Sequence, residues 1–275
     1  MQPIVMEATE QSGIRQIQDL LPIARRLGLL KGGVEYMDGS SALFSNLDFR
    51  GKNVLEIGCG KGMMCLWAKL HGANRVVGLE PMAEGWYDSS KSYKDFNTMV
   101  RELGLQNIEM LPARLQDYRG AEGQFDIVLS VASINHLDEQ SCIELRDSAA
   151  ARERYARVFH QVRDLMAGEG RLLVFDATNR SFFSDVGMKN PFNPHIEWFK
   201  HQPPECWAGL LSTCGFANPR ISWMSGSVLT HFGIRTVPRV ASYFHASAFR
   251  LEMDCAAPAA AGVYPAVWPA VAARN

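Results

Sequence analysis

Apolar and polar positions along this chain follow two alternating rhythms, and the switch between them falls at glycines and prolines. Residues 14–30, "IRQIQDLLPIARRLGLL", space their apolar side chains as a helix does, ahead of Gly32 and Gly33. "NVLEIG", from Asn53, reads as a buried strand, and "MMCLWAKLHG" as a helix ended by Gly72. The alternation repeats. "RVVGLE" (Arg75–Glu80) predicts a strand closed by Pro81, and "SKSYKDFNTMVRELGL" a helix stopping near Gly104. "NIEMLP" and "FDIVLSVAS" (Phe125–Ser133) predict the next two strands. From Glu139 to Met166, Tyr155, Val158, Phe159, Val162, Leu165 and Met166 share one face of a predicted helix, stopped by Gly168 and Gly170. "RLLVFDA" is a fifth strand.

Apolar strands separated by helices mean a parallel sheet covered on both faces. After Asp176 the rhythm fails: residues 178–202 are rich in aromatics, Asn and Pro without a period. "PPECWAGLLSTCGF" returns to helix, with prolines in its first turn, and "PRISWMSG" and "SAFRLEMD" predict a closing pair of strands. The expectation is an α/β fold, a doubly wound, mostly parallel seven-stranded sheet with helices on both faces. Its parts are an N-terminal helical cap (1–50), a cofactor-binding core (51–177), and a substrate-side loop, helix and closing strands of the same domain (178–255). The Ala/Pro-rich tail (256–275) is expected to be disordered.

Composition narrows the function. The net charge is -1, so no overall basic field holds a nucleic acid. No apolar run approaches the length of a membrane span. The six cysteines are scattered with no C-x-x-C pair, which fits reduced thiols in the cytoplasm rather than a disulfide framework or a zinc site.

The chemistry concentrates at "NVLEIGCGKG" (Asn53–Gly62), a strand, a glycine-rich turn and a helix start. Glycines at 58, 60 and 62 allow a tight turn and a close backbone approach. The dinucleotide spacing G-x-G-x-x-G places its last glycine where this chain has Met63, and Glu56 lies outside that fingerprint. Glu80, ending the second strand, is placed to accept hydrogen bonds from ribose hydroxyls.

"VLEIGCGKG", "VVGLEP", "LPARLQDY" and "FDIVLSVASINHL", in that order, resemble the class I S-adenosylmethionine-dependent methyltransferases of the small-molecule type, over roughly Lys52 to Asp176. The resemblance implies that family's Rossmann-like fold and S-adenosyl-L-methionine as cofactor. It implies Gly58, Cys59, Gly60 and Gly62 under the methionyl and ribose parts. Glu56 would orient the turn or meet the methionyl amine, and Glu80 would bind the ribose hydroxyls. Pro81 and Met82 would lie against the adenine, Ala113 and Arg114 at its edge, and Ser130 and Val131 along the methionyl side. Asp117, in "PARLQD", stands too late for the adenine-binding Asp of many relatives. A sulfonium without phosphate needs carboxylates and bare backbone rather than a basic fork, which agrees with acids at both strand ends.

Methyl transfer mainly requires an aligned acceptor and excluded water; a hydroxyl acceptor adds the need for a base. His136, in "SINHLDE", is the candidate base, and Asn135 a candidate for orienting the acceptor. The other reading of His136 is packing beside the cofactor. Asp176, Asn179, His195, Glu197, Trp198 and His201 form a second constellation on the substrate side. The spacing H-x-E-x-x-x-H differs from H-E-x-x-H, and Pro194 and Pro203 oppose one long helix, so no metal is expected. The expected activity is methyl transfer to oxygen or nitrogen of a small molecule by a monomer or homodimer, without nucleic-acid or membrane partners. The alternatives are a nicotinamide-dependent oxidoreductase and a non-catalytic nucleoside-cofactor-binding protein.

Overall fold

All seven predicted strands form: β1 (Asn53–Ile57), β2 (Arg75–Leu79), β3 (Ile108–Leu111), β4 (Phe125–Val131), β5 (Met166–Ala177), β6 (Phe216–Met224) and β7 (Ala248–Cys255). The computed structural model describes residues 20–27, 43–44, 47–82, 89–191, 196–224, 236–244 and 248–256. The strands make one seven-stranded sheet in the order β3-β2-β1-β4-β5-β7-β6. The pairs β1–β2, β1–β4 and β2–β3 are parallel, whereas β7 runs antiparallel to β5 and β6. From β1 the chain steps outward through β2 to β3, then returns to the other flank of β1 as β4. That reversal makes the carboxyl ends of β1 and β4 the place where open α/β sheets receive ligands.

The chain clusters into two compact units. The first, Met1–Arg119 with Phe125–Val131, carries β1 to β4. Its core is the apolar faces of these strands under α1 (Met63–Leu70) and α2 (Ser89–Glu102), which buries Phe96 and Met99 completely. The second, Gly120–Gln124 with Ala132–Asn275, carries β5 to β7. β5, expected in the core with β1 to β4, clusters here because residues Arg171–Ala177 pair along β7.

The helix predicted over 139–166 is two helices, α3 (Glu139–Glu144) and α4 (Ala149–Leu165). Asp138 caps the first by accepting the Ser141 N–H, and Ser148 caps the second by accepting the Ala151 N–H. These caps compensate the exposed N–H groups of each first turn and so favour a restart over a continuous helix. The predicted apolar face survives the break: Tyr155, Val158, Phe159, Val162 and Leu165 are buried. Gly168 and Gly170 do not stop the helix, because Met166 is already extended and the glycines lie in β5. Trp207 of α6 (Pro204–Thr213) packs against α4, its ring 5.1 Å from Tyr155 and 6.1 Å from Phe159. Two short helices, α5 (Phe182–Asp185) and α7 (Arg239–Phe244), meet through Phe182, whose ring lies 5.2 Å from that of Phe244. Of the predicted N-terminal helix, residues 20–26 are helical; His195 and the tail beyond Ala256 lie outside the described residues. No helix among the described residues is long and apolar enough to cross a membrane.

Candidate active site

Parallel register sets three strand tips of the first unit side by side. Ile57 ends β1 opposite Leu79 of β2 on one side and opposite Ser130 of β4 on the other. The Glu80 N–H donates to Leu111 O at 3.0 Å, which brings the end of β3 to the same row. The cofactor candidates Gly58–Gly62, Glu80–Met82, Ala113–Arg114 and Ser130–Val131 therefore line one edge of the sheet. They are far apart in sequence, and the register alone assembles them.

The turn after β1 is clamped to the tip of β2. The Gly58 and Cys59 N–H groups donate to Leu79 O at 2.8 and 3.0 Å, and the Gly60 N–H donates to Glu80 Oε2 at 2.7 Å. Gly60 takes φ 56° to present that N–H, in the left-handed region where a side chain is disfavoured. Glu80, rather than Glu56, is thus the acid that orients the turn. Gly62 is empty for a different reason. A Cβ there would lie 2.3 Å from Phe96 Cδ2 and 2.9 Å from Met110 Cε, so its missing side chain is filled by the core of the first unit. Gly78 went unnoticed in the sequence: a Cβ there would meet the Cys59 and Cys65 sulfurs at 2.7 and 2.8 Å.

Glu56 is buried beneath the turn, where the Cys65 thiol donates to its Oε2 at 2.9 Å. Burial pushes its carboxyl up to about 8; the thiol hydrogen bond acts in the opposite direction, and the nearby Glu80 charge raises it further. Burial likewise raises the Cys65 thiol well above its ordinary value. This has a consequence for folding. In the unfolded chain the carboxyl ionises near 4.5, whereas in the folded protein it keeps its proton to about 8. Between those values the folded state binds the extra proton, so stability declines as pH rises through the window and is flat outside it. Denaturant midpoints measured across this range should show the decline, and Glu56→Gln should remove it; an unchanged slope in that variant would place the titration elsewhere.

The second unit holds the catalytic and substrate-side candidates. Ala132, with φ 52°, turns the chain out of β4, its N–H donating to Phe175 O at 2.7 Å. The short helix Ile134–His136 follows, and the buried Tyr155 hydroxyl donates to Ile134 O at 2.9 Å and pins it. Asn135 is buried, while His136 is half exposed and places Nδ1 2.6 Å from Glu139 Oε1. The His136 contact, ahead of Lys200, holds the Glu139 carboxyl below its usual value. An ionised Glu139 can only accept, so Nδ1 is the donor; in the neutral imidazole Nε2 is then the acceptor, the arrangement a base requires. Lys200 joins Glu139 at 3.1 Å to Glu197 at 2.9 Å, so Glu197 belongs to this exposed ion network. Asp176 and His201 come together instead: the Nδ1 of His201 lies 3.2 Å from Oδ1 of the buried Asp176. Trp198 lies beside them, its ring 6.3 Å from that of His201. Sequence reasoning missed Glu139 and Tyr155. Glu139 had a readable signal, three residues beyond His136; Tyr155 had only its place on an apolar helix face.

The first unit fits a sulfonium nucleoside by its donor set: a carboxylate at a strand tip, backbone without side chains at Gly58 and Gly60, and a half-buried Pro81 with an exposed Met82 alongside. Comparison with known proteins agrees. The family described as a methyltransferase domain matches residues 33–222. Ubiquinone biosynthesis O-methyltransferase of Neisseria meningitidis is 29% identical over 111 residues, 40% of this chain and 41% of that protein. A tRNA U34 carboxymethyltransferase of Alteromonas mediterranea is 34% identical over 89 residues, 32% of this chain and 25% of that protein. Protein arginine N-methyltransferase 1 of Saccharomyces cerevisiae is 29% identical over 104 residues, 37% of this chain and 28% of that protein. The chain thus spans less than half the length of these curated relatives. A SAM-dependent methyltransferase structure from Aquifex aeolicus shares the fold with TM-score 0.55 at 12% identity, covering 84% of this chain and 97% of its own.

Proposed function

The chain belongs to the methyltransferase-domain family, and on that premise we propose that it moves a methyl group from S-adenosyl-L-methionine to oxygen or nitrogen of a small molecule. The observation that carries this reading is the Glu80 carboxylate holding the Gly60 N–H at 2.7 Å on the edge where β1, β2 and β4 end. That hydrogen bond fixes the turn to the tip of β2, at the strand-end position from which, on this reading, the same carboxylate accepts from the ribose hydroxyls. Bound at that edge, the cofactor supplies an electrophilic methyl carbon on a sulfonium. Glu80 binds the ribose hydroxyls, Gly58 and Gly60 let the backbone approach, and Ser130 and Val131 border the methionyl end.

In the second unit, Glu139 keeps the proton on His136 Nδ1, and Nε2 accepts the proton released by a hydroxyl or amine acceptor. Asn135, Asp176, Asn179 and His201 orient that acceptor. The near-neutral composition, with net charge -1, supports a small molecule over a nucleic acid. We place the enzyme in the cytoplasm on the strength of its six cysteines, all free and buried.

Calorimetry with S-adenosylmethionine and with a nicotinamide dinucleotide tests the cofactor: binding of the first and not the second is expected, and the reverse would overturn the reading. Labelled-methyl transfer to fractionated small-molecule pools, read by mass spectrometry, then identifies the acceptor. His136→Ala should slow transfer by about tenfold at unchanged cofactor affinity. That is below the ~100-fold floor usual for general bases, because the sulfonium already activates the carbon. A full rate in this variant would remove the base role.

A further inference from the structure

Among the described residues of the second unit, the buried polar atoms without a hydrogen-bond partner include four acceptor oxygens, besides the Trp207 indole N–H and His201 Nδ1. Asp176 Oδ2, Asn135 Oδ1, Asn179 Oδ1 and Gln202 Oε1 are acceptors without a donor. Asp176, Asn135 and Gln202 are each at most 2% exposed. The orientation of the Gln202 amide is not arbitrary, because its Nε2 donates to Cys142 O at 2.7 Å, which leaves Oε1 as the face without a partner. Asp176 already accepts the Ala177 N–H on Oδ1 at 2.7 Å, which leaves Oδ2. His201 stands 3.2 Å from Asp176, but its Nδ1 is not aligned for a hydrogen bond.

These groups come from neighbouring pieces of chain. Asp176 and Asn179 sit at the end of β5 and just beyond it. Ala132 N–H to Phe175 O joins the segment leading to Asn135 to the same strand end. The 3.2 Å approach of His201 Nδ1 to Asp176 Oδ1 brings in the stretch containing Gln202. Buried acceptors without donors are costly, and three amide oxygens beside a carboxylate call for a ligand that brings N–H groups and positive charge.

We propose that this cluster binds the ammonium end of a small amine. It rests on the methyl-transfer reading in one respect only, the assignment of that amine as the methyl acceptor, whose bound ammonium passes one proton to His136 Nε2 so that the freed nitrogen lone pair displaces the sulfonium sulfur. The ammonium donates to Asp176 Oδ2 and to the amide oxygens, and its charge is balanced by the Asp176 carboxylate. A carboxylate ligand would repeat the charge already present and is excluded; an alcohol would satisfy fewer acceptors and leave the charge unbalanced.

Matched probes test this with the full chain. Binding of 2-phenylethylammonium, 2-phenylethanol and phenylacetate is measured by ligand-observed NMR and calorimetry, with and without S-adenosylmethionine. The ammonium is expected to bind at least about tenfold more tightly than the alcohol, and the carboxylate not to bind. Asp176→Asn should abolish the ammonium preference, and Asn179→Ala should weaken ammonium binding without touching β5 pairing, should the first variant fold poorly. Equal binding of all three probes, absence of ammonium binding, or a preference that survives in both variants would each overturn the proposal. The two readings fail separately: S-adenosylmethionine bound without ammonium selectivity sinks this inference alone, and ammonium selectivity without S-adenosylmethionine binding sinks the cofactor reading alone.

Discussion

Gly62→Ala is expected to destabilise the protein by about 3 kcal/mol. Roughly 1 kcal/mol comes from a side chain at φ 73°, in the left-handed region. The remainder is overpacking, typically about 1–3 kcal/mol. The added Cβ would overlap the Phe96 ring at 2.3 Å and the flexible end of Met110 at 2.9 Å; Met110 Cε can turn aside, but the rigid, fully buried Phe96 ring leaves the overlap in place. The shift in denaturation midpoint measures the loss. Trimming the obstacle in Gly62→Ala/Phe96→Leu should be less destabilising than the two single changes added together. A Gly62→Ala protein as stable as the parent would mean that α2 moves away at little cost, against the packing described above.

Glu80→Ala is expected to weaken S-adenosylmethionine binding by about 2–3 kcal/mol, or roughly 30- to 150-fold in Kd. The change removes a charged acceptor for the ribose and also the partner of the Gly60 N–H, so the turn loses one of its ties to β2. The ties from Gly58 and Cys59 to Leu79 O remain, and the strand pairing does not depend on the side chain, so the fold should persist. Glu80→Gln keeps an oxygen for Gly60 but drops the charge, and its affinity should fall between the two. Calorimetry gives all three values. An alanine variant that binds as tightly as the parent would remove Glu80 from the cofactor site.

The two tests separate glycines that look identical in "GCGKG". Their spacing shows a turn, and the positive φ of Gly58, Gly60 and Gly62 bears that out. Which of them serves a ligand is not a local property. Gly62 is occupied by Phe96, 34 positions away (96 − 62), a contact that exists only once α2 packs on the turn. The paired acids divide in the same way. Glu56 and Glu80 both end apolar strands, but one lies beneath the turn against Cys65 and the other reaches the Gly60 N–H.

The chain by itself determined the seven strands, because long apolar runs broken by Gly and Pro leave the backbone few ways to satisfy its hydrogen bonds, while their order in the sheet came with the fold. It also determined the candidate strand-tip residues, since a parallel sheet brings every carboxyl end to one edge. Tertiary structure decided the rest: the break at Ser148, the pairing of His136 with Glu139, the meeting of Asp176 with His201, and the unpartnered acceptors around them. Of these, the Ser148 cap and the His136–Glu139 pair are contacts three residues apart that depend on side-chain geometry in the fold, whereas the Asp176–His201 meeting and the unpartnered acceptors arise between segments distant in sequence; none leaves a periodic trace in it.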